Sequence, residues 1–172
     1  MNRKLLKLTA LLLILAVALA SSCQQEEPKP QEIKQEEPII NYPIEISFED
    51  YLLKGTFCQL FVFTNLNDEV RIINTNEELE NYITCLGNDS YPIVDFSRYT
   101  LLLGNGRVSP YYVTSTHKKL QQISAQSYVM NVDLNLRAWL VHVETYWEVA
   151  IIVDKIADNA HIELILTKNI QS

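Results

Sequence analysis

The sequence predicts a mainly β (β-rich α+β) domain, an antiparallel, twisted or barrel-like sheet with one covering helix. Three observations lead there. Tyr128, Met130, Val132, Leu134 and Leu136 alternate with Val129, Asn131, Asp133, Asn135 and Arg137, the period of a strand with one buried face. Only 75–86 joins a helix-start signal to helical spacing. Strand and helix signals do not alternate along the chain, which argues against a parallel doubly wound sheet.

The elements follow in order. Arg3, Lys4 and Lys7 form a basic head, and Leu11 to Ala20 is an unbroken apolar run ending at Ala20-Ser21-Ser22-Cys23. A bilayer span needs about 20 apolar residues, and Lys7 and Thr9 interrupt any upstream extension. The order therefore reads as a secretory signal over 1–22. Small residues before a cysteine resemble the lipobox of bacterial lipoproteins, which makes Cys23 the expected lipid acceptor. Ala20 stands where that pattern more often has Leu, and cleavage by ordinary signal peptidase is the rival reading. Gln24-Gln25-Glu26-Glu27 resembles the acidic signature of surface lipoproteins of the Bacteroidetes. The resemblance implies an outer-membrane anchor with cell-surface display.

Residues 23–38 form an acidic tether. After Cys23 they read QQEEPKPQEIKQEEP, with three prolines, five glutamates and Ile33 as the one large apolar residue. Such a segment buries too little to fold, and proline and like charge keep it extended.

The folded domain is expected over 39–172. Tyr42, Ile44, Ile46 and Phe48 alternate as a half-buried strand. Thr56 to Phe63 is nearly all apolar and predicts an interior strand, and Glu69 to Ile73 predicts another. Thr75 with Glu78 matches a capping box. Leu79, Tyr82, Ile83 and Leu86 then fall on one helical face, with Gly87 as the stop and Cys85 on the flank. Tyr99 to Leu103 is an apolar strand expected to end at Gly104-Asn105-Gly106. Pro110 to Thr116, Leu120 to Ala125, Tyr128 to Leu136, Trp147 to Val153 and His161 to Leu166 supply the remaining strands. Trp139, Val141 and Val143 follow the Tyr128 to Leu136 strand with the same period of two, and Ala157-Asp158-Asn159 is a turn.

Composition bounds the chemistry. The chain of 172 residues carries a net charge of −7. Removing the leader takes three basic residues and no acidic one, leaving 11 basic against 21 acidic and a net charge of −10. That disfavours nucleic acid, which rewards clustered Lys and Arg. Four glycines, none at phosphate-loop spacing, give no nucleotide cradle. His117, His142 and His161 stand apart at no metal-ligand spacing. No cofactor, metal or catalytic set is expected. Cys58 and Cys85 leave two readings, a disulfide suited to an exported protein or two buried thiols.

Two features remain as candidates. Asp133, Glu144, Glu148 and Asp154 fall at outward positions of predicted strands and could pair as acids, or form a solvated face. The doublets Tyr111-Tyr112 and Tyr146-Trp147 put adjacent rings on opposite sides of a strand, so one of each pair can be exposed to a protein or glycan. These four residues form the candidate binding patch.

One further resemblance concerns 77–113. Glu77-Glu78-Leu79, Pro92, Asp95-Phe96-Ser97, Leu101 to Leu103, Gly104, Gly106-Arg107 and Tyr111 to Val113 are similar to the C-terminal domain of PrcB-type protease-complex subunits. Ser109-Pro110 stands where that family has a glycine pair. The resemblance implies a non-catalytic role in contact with proteins, proteases among them. The expected function is thus a lipid-anchored, non-enzymatic binding or accessory protein of the envelope. A hydrolase using paired carboxylates and a structural assembly protein are the alternatives.

Overall fold

The computed structural model describes residues 40–60, 67–138 and 143–171. The leader, Cys23 and the tether lie outside these residues, as do Phe61 to Phe63, Trp139, Val141 and His142.

Strand β1 (Ile44–Ile46) is followed by β2 (Glu49–Asp50), β3 (Cys58–Leu60) and β4 (Glu69–Ile73). Helix α1 (Asn76–Glu80) leads to β5 (Ile83–Cys85). Then come β6 (Tyr99–Arg107), β7 (Tyr111–Ser124), β8 (Ser127–Ala138), β9 (Tyr146–Asp154) and β10 (His161–Gln171). One sheet has the order β1-β7-β8-β10 and a second β2-β9-β6-β4, while β3 and β5 pair separately. The described residues are mainly β and form no closed barrel. Every pairing is antiparallel except β8 with β10. The exception follows from the crossover: β9 visits the second sheet between them, so β10 returns in the direction of β8.

The two sheets face each other. Met130, Val132, Leu134 and Leu136 of β8 meet Trp147, Val149, Ile151 and Val153 of β9, with Leu102 and Leu120 between. The other face of the second sheet is covered as well. Leu101 and Leu103 pack there with Tyr51, Leu79, Ile83 and Val94. A sheet buried on both faces needs no polar alternation, which is why β6 carries three consecutive leucines. Each such buried side chain contributes about 1.5–3 kcal/mol over leaving it in water.

Four expectations about the elements are corrected. The alternation from Tyr42 to Phe48 yields only the three-residue β1 of the first sheet, and the chain crosses at Ser47-Phe48 to enter β2 of the second. The capping box is present, with Glu78 N–H donating to Thr75 Oγ1 at 3.1 Å. The helix, however, ends at Asn81, whose Nδ2 donates to the Glu77 carbonyl at 2.8 Å. Tyr82-Ile83-Thr84 is aromatic and β-branched and suits the strand it enters, so Leu86 is 72% exposed rather than on a buried helical face. Strand β6 runs straight through Gly104 and Gly106, and β7 is one strand of 14 residues instead of two.

Candidate binding groove

The crossover at Ser47-Phe48 opens a groove. Ile46 pairs with Leu120 in one sheet and Glu49 with Ile152 in the other, so the backbone splays where the sheets part. The opposite wall is the segment 91–96, folded over the second sheet. Tyr51 Oη donates to the Pro92 carbonyl at 2.9 Å and holds this segment down. Burial pushes the Tyr51 phenol up to about 12, with Tyr91 adding to the shift. A turn then closes at Asp95. Ser97 donates to Asp95 Oδ1 through Oγ at 2.6 Å and through its backbone N–H at 3.1 Å. Tyr99 N–H donates to the Asp95 carbonyl at 2.9 Å.

The resulting groove holds about 580 Å³ and is lined by Phe48, Glu49, Ile93, Asp95, Tyr99 and Asp154 among others. Its floor is apolar and its rim acidic. Val94 is buried while its neighbour Ile93 is 89% exposed, so adjacent side chains point to the core and to the mouth. The Ser97 donors, and to a lesser degree Arg98, hold the Asp95 carboxyl below the usual range. Among the described residues neither Glu49 nor Asp154 has a salt-bridge partner. The cations nearby already have partners, and Lys118 Nζ also lies 5.9 Å from the centre of the Phe48 ring, which lines the groove. Lys118 pairs with Asp50, and Lys155 Nζ donates to Asn74 Oδ1 at 2.9 Å and to the Phe96 carbonyl at 2.8 Å. Arg98 lies 5.3 Å over the Tyr99 ring.

A buried polar knot fixes the far side of this wall. Asn74 Nδ2 donates to Asp158 Oδ1 at 2.6 Å, and Thr100 Oγ1 donates to Asn74 Oδ1 at 2.5 Å. Ile156 N–H donates to Thr100 Oγ1 at 2.9 Å. The end of β4, the start of β6 and the β9–β10 loop are thereby joined.

The four aromatic candidates do not form one patch. Trp147 is 1% exposed and sits in the core between the sheets. Tyr111 packs partly buried against the same core. Tyr112 is paired with Arg137, on the opposite side of β7 from Tyr111. Tyr146 belongs to the second sheet, where it pairs with Arg107 and its Oη donates to Glu144 at 2.6 Å. That hydrogen bond raises the Tyr146 phenol above its ordinary value. Arg107 in turn pairs with Glu144 at 3.1 Å.

The four carboxylates are also dispersed. Asp133 lies on the first sheet opposite the exposed His117, and Glu144 precedes β9. Glu148 and Asp154 lie six positions apart on β9, about 20 Å at the rise of a strand. Paired glycosidase acids stand about 5–9.5 Å apart. His161 is exposed at the start of β10. No group of three potential metal ligands occurs among the described residues. Cys58 and Cys85 face each other across β3 and β5 and are joined as a disulfide. Sequence reasoning passed over the groove. Its one signal was Ile93-Val94, two adjacent apolar residues in a stretch bounded by Pro92 and Asp95 with no strand period.

No helix of the described residues is long and apolar enough to cross a membrane. Comparisons with protein-family models, with curated proteins and with solved structures give no match.

Proposed function

We propose that the chain is a lipid-anchored, non-enzymatic binding or accessory protein of the bacterial outer membrane. Cys23 carries the lipid, 24–38 is the spacer, and the β domain faces outward to contact another protein. The observation that carries this reading is the exposure of Ile93 at the mouth of an apolar-floored groove. Large apolar side chains at the lip of a concavity are what a partner covers. Glu148 and Asp154, about 20 Å apart along β9, stand wider than the spacing of paired hydrolytic acids, which favours this reading.

The test has two arms. Cells grown with labelled palmitate should label the wild-type chain and leave Cys23→Ser unlabelled. Crosslinking in living cells should then trap a stoichiometric protein that Ile93→Asp fails to trap. Palmitate on the Cys23→Ser chain would remove the anchor assignment, and an uncrosslinked wild-type chain would remove the binding role.

A further inference from the structure

We infer that the groove between Ser47–Glu49 and Ile93–Asp95 receives an extended segment of another protein that carries a lysine or arginine next to a large apolar side chain. This rests on the binding role proposed above and names the chemistry of the partner.

The argument is one of complementarity. The groove, at about 580 Å³, lies within the roughly 300–1,000 Å³ usual for ligand sites. Phe48, Ile93 and Tyr99 offer apolar surface to a side chain. Glu49 and Asp154 stand beside them without salt-bridge partners among the described residues. Asp95 adds a third carboxylate, and its side chain is already oriented by Ser97. Arg98, set over Tyr99, leaves the rim with an excess of negative charge. A cationic group reaching this exposed rim meets two carboxylates that have no salt-bridge partner among the described residues, and each such pair is modest and screened by salt. An apolar neighbour in the same segment covers Ile93. The chain's own tether is a poor occupant, because 24–38 holds five glutamates against two lysines and the rim repels it.

The probe is a fluorescent hexapeptide of alternating leucine and lysine, titrated against the full chain in a nonionic detergent. Peptides of alternating leucine and glutamate and of alternating serine and lysine are the controls. The leucine–lysine peptide should bind best, and Glu49→Gln with Asp154→Asn should weaken it about three- to tenfold. Raising the salt from about 0.05 to 0.5 M should have a similar effect. Both substituted residues are exposed, so an unchanged melting temperature will show that the variant is folded. Ile93→Ser should weaken the same peptide without altering its salt dependence. Equal binding of the leucine–lysine peptide to wild type and double variant overturns the inference, and so does equal binding of all three peptides. A partner crosslinked equally well by Glu49→Gln/Asp154→Asn would overturn the groove and leave the binding role standing.

Discussion

Trp147 is held by Asp68, the residue just before β4 at which the edges of the two sheets are fastened. Its Nε1 donates to Asp68 Oδ1 at 2.7 Å, and Lys168 of β10 reaches Asp68 Oδ2 at 2.8 Å. A buried indole N–H needs such a partner. Gly106 is what leaves room for it: a Cβ there would stand 1.9 Å from Asp68 Oδ1 and 2.5 Å from Trp147 Nε1. Gly106→Ala should therefore cost about 1–3 kcal/mol by overpacking and shift the tryptophan fluorescence of the folded state. An unchanged melting temperature would disprove the close approach. Two titrating residues give pH-dependent predictions of the same sense in separate pH ranges. Tyr51 titrates near 12 when folded, against 10.0 unfolded. Its contribution is complete below pH 10 and is lost as the pH rises toward 12. Tyr51→Phe should abolish that alkaline loss, while removing the bond to Pro92 lowers stability by about 1 kcal/mol at neutral pH. Desolvation raises the carboxyl of Glu148 above its model-compound value of 4.5. The folded state thus binds the proton more tightly than the unfolded one, and stability falls as the pH rises through this range. Glu148→Gln should raise the melting temperature at pH 7 and leave it unchanged at pH 3. Thermal melts across pH check both.

At the scale of elements, the residues that sequence made legible are those with one clear partner surface. The alternation of β8 was readable because one face meets the core and the other meets water. The capping box of α1 was readable because Thr75 and Glu78 satisfy each other locally. The errors arose where long-range contacts decide. Helix α1 stops after Glu80 because Ile83 to Cys85 pair with Cys58 to Leu60. No local signal reveals that pairing. The glycines of β6 resemble a turn, yet they make space for Trp147, 41 positions beyond Gly106 in the chain. The groove was illegible for the same reason: its walls, 47–49 and 93–95, meet through tertiary folding alone. The β3–β5 pair yields a prediction of its own. The disulfide closes a separation of 27 residues, so Cys58→Ser/Cys85→Ser should lower stability by about 3–4 kcal/mol on the chain-entropy account. The loss should be read by denaturant midpoint. A loss below about 1 kcal/mol would mean that the paired strands hold without the bond.

At the scale of the whole molecule, three layers follow from one fact: the second sheet is apolar on both faces and the first on one. Strands β6 and β9 are central in their sheet, with the first sheet beneath and α1, β5 and 91–96 above. Their amides are shielded on every side. Among the described residues strand β10 is paired only with β8, and it keeps one face to solvent. Opening β6 or β9 must break both hydrophobic clusters, whereas opening the end of β10 beyond Leu166 breaks one ladder and the Lys168–Asp68 pair. Hydrogen exchange should then report two classes. Amides of 100–104 and 149–153 should exchange last, with a free energy equal to global unfolding by denaturant. Those of 167–171 should exchange earlier, through local opening independent of denaturant. The groove lies where these regimes meet, since Ile152 to Asp154 end the most protected strand and 93–95 belong to the covering layer. A ligand in the groove should consequently slow exchange in 93–99 more than in β9, which has little left to gain. Uniform slowing of both would place the ligand elsewhere and tie its effect to global stability alone.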